Sequence, residues 1–192
     1  MPAPALDLLD QLARSVAAVG EVISKIQPEQ WTAPTPCTSW TVRQVVVHLI
    51  GMNRVFTAML ADQPPSRPER DVPDDELDQA YRESATALQA AFSQPGVLDR
   101  TYRSPLGAAT GTQRLQIRLY DLLAHGWDIA HATGQPAHLP QDAADQALAF
   151  ARAQLTDDAR PGRFAPEQMI PPQAPAPDRL AAFLGRPPNW TP

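Results

Sequence analysis

Apolar residues recur along the first part of the chain at alternating steps of three and four. From Ala5 onward the series is Leu9, Leu12, Val16, Val19, Ile23 and Ile26. This spacing puts these side chains on one face of an α-helix, because a helix completes a turn every 3.6 residues. The pattern predicts a long amphipathic helix that Pro28 ends, since proline cannot continue a helix.

A second helix is predicted to begin near Thr41, whose hydroxyl can accept a backbone hydrogen bond at the helix start. Gln44, three residues later, can bond back to the Thr41 backbone and complete a capping box. The predicted inner face of this helix consists of Val45, His48, Leu49, Met52, Phe56 and Met59. One histidine therefore falls on a face that is expected to be buried.

Similar apolar series predict three more helices and a short terminal one. The third helix contains Leu77, Tyr81, Ser84, Leu88 and Phe92, and closes at Pro95 and Gly96. The fourth runs from about Thr112 to Ala132, the fifth covers "QDAADQALAFARAQL", and the last covers "DRLAAFLG". Four long helices with accessory elements are typical of an all-α bundle.

The segments between these helices lack a helical pattern. The run "ADQPPSRPERDVPD" indicates an exposed connection, "SPLGAATG" an irregular segment, and Pro161 to Pro177 an extended strap over the body. No window alternates polar and apolar residues as a half-buried strand does. We therefore predict one domain over residues 1–192: an all-α four-helix bundle with additional short C-terminal helices, in which 161–192 forms the proline-rich strap and terminal helix.

Composition excludes several classes of protein. The 192 residues are 43% hydrophobic, which is enough for one core, and the net charge of -5 opposes binding to nucleic acid. No apolar run approaches the roughly 20 residues that cross a bilayer. The single cysteine, Cys37, and the absence of a basic, apolar leader point to the reducing cytoplasm.

The fourth predicted helix carries a narrow line of ionisable residues. Asp121 and His125 are one turn apart and face the same way, and the line extends to Arg114, Arg118 and Asp128. One interpretation is an ordinary solvated face. Against it, leucines occupy most of the remaining circumference, and Gly126 among them would permit close packing by a neighbouring backbone. This composition favours a buried helix beside a polar pocket.

A carboxylate and an imidazole one turn apart can bind a divalent ion together, and a histidine from a facing helix can complete the set. We therefore predict a site formed by His48, Asp121 and His125, although His48 alone could also be a satisfied core histidine. Three protein ligands leave a coordination position open. The donor set suits zinc, nickel, iron, manganese or cobalt and does not by itself choose among them; zinc is the metal we expect. Asp128 would be a fourth ligand or the acceptor for a ligand imidazole.

Other polar residues have two interpretations each. Arg114 and Arg118 could orient an anionic substrate, but solubilising surface residues are the favoured interpretation. Cys37 could be a nucleophile near a helix start, but packing against Trp40 is favoured because free cysteines mostly behave as small apolar residues. His131 and His138 are expected at the surface.

Three segments carry a resemblance to a known family: "PTPCTSWTVRQVVVHLIG", "DLLAHGWDIAHATG" and "LAAFLGRPPNW". Together they resemble the DinB/YfiT-like superfamily, and within it the actinobacterial proteins related to the N-terminal domain of mycothiol-dependent maleylpyruvate isomerase. The resemblance extends from Leu8 to Trp190. It implies an up-down four-helix bundle with a long crossover and a mononuclear divalent metal, with ligands carried over to His48, Asp121 and His125.

Two departures accompany the resemblance. Asp121 stands where the isomerase has a glutamate, so its shorter side chain must reach the ion from a nearer backbone. The isomerase also carries a further C-terminal domain, whereas this sequence has the strap and a short helix. Maleylpyruvate is therefore not assumed as the substrate.

The resemblance implies metal-dependent chemistry with a low-molecular-weight thiol, mycothiol in actinobacteria. We expect a thiol transferase or thiol-assisted isomerase that acts on a small electrophile, because a metal with an open position can activate a bound thiol. A non-enzymatic metal- or small-molecule-binding module for stress response is the main alternative, and a purely structural bundle is a third. The sequence does not identify the oligomeric state, although a bundle could pair with a second copy through its helix faces to form a homodimer.

Overall fold

The computed structural model describes residues 5–37, 39–64, 72–104, 107–155, 160 and 164–191. Its regular elements are α1 (Ala5–Ile23), α2 (Val42–Leu60), α3 (Leu77–Phe92), β1 (Thr101–Ser104), β2 (Gly107–Thr110), α4 (Gly111–Ala132), α5 (Gln141–Gln154) and α6 (Ala176–Phe183). Short 3-10 turns occupy Pro28–Gln30 and Asp74–Glu76. The predicted helices are all present, and the all-α prediction is confirmed.

The long helices α1 to α4 pack into one bundle. α1 contacts α3 and α4, α2 contacts α3 and α4, and α5 and α6 cover another side of α4. The buried stripe of α1 is Leu8, Leu12, Val16, Val19 and Ile23, so that Leu8 replaces the predicted Leu9, which is only half-buried. Buried residues from all six helices belong to one continuous core.

Matching capping boxes begin α2 and α4, the two helices that carry the predicted ligands. Thr41 Oγ1 accepts from the Gln44 amide at 3.4 Å, and Gln44 Oε1 accepts from the Thr41 amide at 2.8 Å. Thr110 and Gln113 repeat this exchange at 3.2 and 2.9 Å. These bonds satisfy amide groups that have no partner inside the helix. The predicted start of α2 is confirmed.

The buried face of α2 is rotated from its predicted position. Its fully buried residues are Val42, Val45, Val46, Leu49, Ile50, Asn53, Phe56 and Leu60. The predicted inner residues His48, Met52 and Met59 are half-buried instead. His48 therefore lies at the margin of the core, where an imidazole can contact both the interior and an opening to solvent.

A short β-hairpin precedes α4, and the prediction of an irregular segment there is wrong. β1 and β2 pair antiparallel, with Thr101 opposite Thr110 and Tyr102 opposite Ala109. The strands have only four residues each, and β2 consists of small residues, so no sustained alternation identifies them in the sequence. Residues 105–106, between the strands, lie outside the described residues.

Arg114 is buried beneath this hairpin, so its favoured interpretation as a surface residue is wrong. It is only 3% exposed, and its Nη2 donates to the carbonyl oxygens of Tyr102 and Gly107 at 3.2 and 2.6 Å. Buried strand carbonyls need donors. The guanidinium thus stabilises the hairpin from the first turn of α4.

Side chains pack closely on Gly126 of α4. A Cβ atom there would lie 2.6 Å from Cγ2 of Val19 and 3.3 Å from Cδ2 of Leu139. Close packing at this glycine is confirmed, but the neighbours are side chains and not the predicted backbone.

The proline-rich segment has no regular structure between residues 164 and 175, as predicted, while residues 161–163 lie outside the described part. The terminal helix α6 begins at Ala176, two residues before its predicted start at Asp178. It packs against α4 and α5, and Trp127 Nε1 of α4 donates to Asp178 Oδ1 at 2.7 Å. No helix within the described ranges is long and apolar enough to span a membrane.

Candidate metal centre

Helices α2 and α4 bring His48, Asp121 and His125 together at one end of their interface. Oδ1 of Asp121 lies 3.3 Å from Nε2 of His48 and 3.5 Å from Nε2 of His125. One donor atom from each of the three residues falls within 4.8 Å of the others. His125 is buried, whereas His48 and Asp121 keep about a quarter of their side-chain surface exposed, at 25% and 22%.

This spacing suits a common ion. Donors that are 2.0 to 2.2 Å from a tetrahedral zinc lie about 3.4 Å apart, which is close to the two observed nitrogen–oxygen distances. Two imidazole nitrogens and one carboxylate oxygen also match the ligand chemistry of zinc and similar divalent ions. The residues present therefore fit the metal that the sequence resemblance implies.

Arg118 lies directly beneath the carboxylate of Asp121, and its favoured interpretation as a surface residue is also wrong. Its side chain is 0% exposed, and Nη1 donates to Asp121 Oδ2. Its Nε and Nη2 donate to Asn53 Oδ1 at 3.1 and 2.8 Å, and Nη2 also donates to the Leu49 carbonyl at 3.1 Å. The interpretation of the ionisable residues on α4 as a solvated face is therefore wrong for Arg118.

The carboxylate of Asp121 is strongly held in its charged form. Burial alone would raise its pKa, but hydrogen bonds from His125 and His48, with the charge of Arg118, lower the pKa well below its usual value. Oδ2 of Asp121 accepts a hydrogen bond from Arg118, and its other oxygen, Oδ1, faces the two imidazoles. This is the form of aspartate that binds a cation.

Asp128 occupies the opposite side of the His125 ring. Its Oδ2 lies 3.0 Å from Nδ1 of His125, while Nε2 of that ring faces Asp121. A histidine that binds a metal commonly donates its second ring N–H to a carboxylate in this way. Arg186, which sequence analysis missed, donates to both oxygens of Asp128 from Nε at 3.2 Å and from Nη2 at 2.9 Å.

Trp40 is a second residue that sequence analysis did not assign to the site. Its ring centroid is 4.8 Å from that of His48 and 5.6 Å from that of His125, and it is nearly parallel to the latter. The indole therefore forms an apolar wall against both imidazoles. Its position just before the helix with His48 was the available signal.

The family model for the mycothiol maleylpyruvate isomerase N-terminal domain matches residues 12–130, more than half of the chain. The chain belongs to this family. The match includes all three candidate ligands on α2 and α4, and it ends before Arg186.

Two relatives are similar to this chain over almost its whole length. Uncharacterized proteins from Mycobacterium tuberculosis strains H37Rv and CDC 1551 are each 35% identical over 185 residues, which is 94% of this chain and 98% of theirs.

Solved structures of a family member show the same fold. Crystal structures of the mycothiol-dependent maleylpyruvate isomerase and of one of its mutants align with a TM-score of 0.61 and 14 to 15% identity. The alignment covers 77% of this chain and 68% of each isomerase chain. At this identity the likeness extends to the fold and not to the chemistry.

Cys37 lies closer to the candidate metal centre than the sequence suggested. Its sulfur, a nitrogen of His125 and an oxygen of Asp128 are within 4.8 Å of one another. Burial raises the pKa of the Cys37 thiol to about 11, so the thiol is protonated at neutral pH. Because Arg186 donates to both oxygens of Asp128, this second cluster lacks a free carboxylate. These features favour packing over nucleophilic attack.

The two remaining histidines lie apart from the triad. His138 is exposed as predicted. His131 is half-buried rather than at the surface, since its ring stacks on Trp127 with centroids 3.7 Å apart and Nδ1 bonds the Trp127 carbonyl at 3.0 Å.

Proposed function

We propose that this chain binds one divalent metal ion, zinc in preference, through His48, Asp121 and His125. We further propose that it transfers a low-molecular-weight thiol to a small electrophile, or isomerises such a compound with the thiol's assistance. The observation that carries the proposal is the convergence of three donor atoms from two helices within 4.8 Å. Membership of a family described by mycothiol maleylpyruvate isomerase supports mycothiol as the thiol.

A divalent ion held by His48, Asp121 and His125 would lower the pKa of a thiol at its open position, and the resulting thiolate would then be available to an electrophile. The chain's own residues prepare the ligands for that role. Arg118 bonds Oδ2 of Asp121 and leaves Oδ1 facing the imidazoles. Asp128 accepts from Nδ1 of His125, so Nε2, which faces Asp121, is the ring nitrogen that would bind the metal. Trp40 covers one side of both rings and reduces access of water there.

The first experiment measures metal content and thiol chemistry in the same preparation. Purified protein is stripped with a chelator, reloaded with zinc and analysed for bound metal. The loaded protein is then incubated with mycothiol and chlorodinitrobenzene as a general electrophile. We expect about one zinc per chain and a rate of conjugate formation above that of the metal-free protein.

Matched histidine variants assign the result to the site. His48→Ala is expected to lose zinc, whereas His138→Ala, which changes an exposed histidine, is expected to retain it. The protein could bind zinc tightly and stoichiometrically yet show no thiol-dependent rate with a panel of electrophiles. That result would overturn the proposed enzymatic activity and favour a binding module. Substoichiometric zinc with His48→Ala altering only stability would overturn the metal site itself, and its contacts would then be hydrogen bonds of a structural bundle.

The remaining expectations complete the proposal. A cytoplasmic location supplies the reducing conditions in which a thiol cosubstrate stays available. A homodimer and the absence of nucleic-acid or membrane partners stay predictions from the sequence. The proposed substrate is a small electrophile. Maleylpyruvate is the substrate named for the isomerase and is not carried over to this chain.

A further inference from the structure

A buried ion pair links the segment after α6 to the site on α4. Arg186 and Asp128 are 58 positions apart in sequence, yet Nε and Nη2 of the arginine donate to Oδ1 and Oδ2 of the carboxylate at 3.2 and 2.9 Å. The Asp128 side chain is 0% exposed and that of Arg186 is 8% exposed. A two-point contact fixes the plane of the carboxylate as well as its charge.

The end of α6 delivers Arg186 to this position. The amide of Arg186 bonds the Ala181 carbonyl and the amide of Gly185 bonds the Ala182 carbonyl, each at 3.0 Å, in the pattern of a Schellman motif. Gly185 has a φ of +89°, and a Cβ there would lie 2.7 Å from atoms of Ala165. Only glycine meets both conditions, so the chain turns at Gly185 and directs Arg186 inward.

The contact continues from Asp128 to the site. Oδ2, which accepts from Arg186, also lies 3.0 Å from Nδ1 of His125. The other nitrogen of that ring, Nε2, faces Asp121 Oδ1 at 3.5 Å. Arg186, Asp128 and His125 therefore form one continuous line of contacts that ends at the candidate metal centre.

We propose that Arg186 is a positioning residue, which fixes the Asp128 carboxylate so that His125 keeps its proton on Nδ1 and offers Nε2 to the metal. The inference rests on the proposed function for its metal, but its effect on the ring exists without metal. An orienting carboxylate that can rotate no longer selects one tautomer, and loss of such partners commonly weakens metal binding by 10- to 100-fold.

The test is a double-mutant cycle on zinc affinity, measured by competition with a chromogenic chelator. Arg186→Met and Asp128→Ala are each expected to weaken zinc binding about 10- to 100-fold. If Arg186 acts through Asp128, adding Arg186→Met to Asp128→Ala weakens binding by less than about twofold more. Full additivity of the two losses, or unchanged affinity in Arg186→Met, would overturn the proposal.

Two further variants separate positioning from folding. Arg160 is another buried arginine near α6, and its Nη1 donates to the carbonyls of Phe183 and Ala165 at 2.9 and 3.3 Å. Arg160→Met is expected to lower the melting temperature without changing zinc affinity. Should Arg186→Met fail to fold, Arg186→Lys keeps the charge without the planar fork, and we expect intermediate affinity from it.

A metal-free measurement distinguishes failure of this inference from failure of the metal site. NMR of the imidazole N–H groups reports whether Nδ1–H of His125 is hydrogen-bonded to Asp128, and its signal is assigned by its loss in His125→Gln. We expect a slowly exchanging Nδ1–H signal in the wild type and faster exchange with solvent in Arg186→Met. A protein that binds no zinc but shows this change in exchange contradicts the proposed function alone. An unchanged signal contradicts the role of Arg186 whether or not zinc binds.

Discussion

The guanidinium of Arg118 bonds Oδ2 of Asp121, so that only Oδ1 of that carboxylate faces the imidazoles of His48 and His125. The arginine is fully enclosed and reaches Asn53 and the Leu49 carbonyl as well. Asn53 in turn donates from Nδ2 to Ser84 Oγ at 3.0 Å. A polar network thus extends from the core of the bundle to the candidate metal centre.

Arg118→Met is expected to destabilise the protein by about 3–5 kcal/mol, because it leaves a carboxylate and two core acceptors without their donor. Urea unfolding monitored by circular dichroism measures this loss. The control is Arg82→Met, which breaks an exposed one-turn pair with Asp78 and should cost no more than about 0.5 kcal/mol. Equal losses for the two variants would contradict the buried network.

Two glycines in the ligand-bearing helices should respond oppositely to the same change. Gly126→Ala is expected to destabilise by about 1–3 kcal/mol, because its Cβ would overlap Val19 in α1. Gly51→Ala in α2 should stabilise by up to about 1 kcal/mol, since nothing lies within 4 Å and alanine favours a helix. Thermal unfolding of both variants checks the pair, and adding Val19→Ala should recover part of the Gly126→Ala loss.

The surface ion pair between Arg14 and Asp142 should make the free energy of unfolding depend on pH. Hydrogen bonding from Arg14 lowers the pKa of Asp142 to about 2, against about 4 in an unfolded chain. The stabilisation is therefore present above about pH 4 and is lost as the pH falls through about 2. Since Arg14 and Asp142 are 39% and 56% exposed, Asp142→Asn should cost less than about 1 kcal/mol at pH 7.

Unfolding of wild type and Asp142→Asn between pH 7 and pH 2 measures that difference directly. The gap should narrow as the pH falls below about 4, and 1 M salt at pH 7 should narrow it too, because exposed charges are screened. A gap that widens in acid would reverse the assigned sign.

Trp40 provides an optical probe of the site. Its ring contacts both imidazoles, so cobalt or nickel bound between His48 and His125 is expected to quench its fluorescence. Trp40→Phe should remove most of the quenching. Trp31→Phe is the matched control, because in the ring contacts of the described residues Trp31 meets neither imidazole. Quenching that survives Trp40→Phe would place the ion elsewhere.

Local sequence patterns were sufficient to predict the helices and two of the candidate ligands. Steps of three and four placed α1 to α5, and Thr41 with Gln44 marked the start of α2 through bonds within four residues. Asp121 and His125 were recognisable because they are one turn apart. That His48 meets them from another helix followed from the resemblance and from the expectation of a bundle, and the structure brings the three together.

The remaining features depend on distant contacts that periodicity does not encode. Arg114 and Arg118 resembled solvated charges, yet each is buried because carbonyls and carboxylates from elsewhere in the fold accept its donors. Arg186 meets Asp128 across 58 positions, and no local spacing marks the pair. The hairpin was not predicted because its strands have only four residues each, and the small side chains of β2 resemble those of a loop.

The distance in sequence between Asp128 and Arg186 also affects synthesis. A chain that emerges from the ribosome exposes α4 well before the turn at Gly185, so the nascent bundle carries the Asp128 carboxylate before Arg186 can reach it. Burying that charge without its arginine is unfavourable. We therefore expect the bundle to close fully around α4 only when the segment after α6 is available, and a ribosome stalled before that point should present a protease-sensitive intermediate.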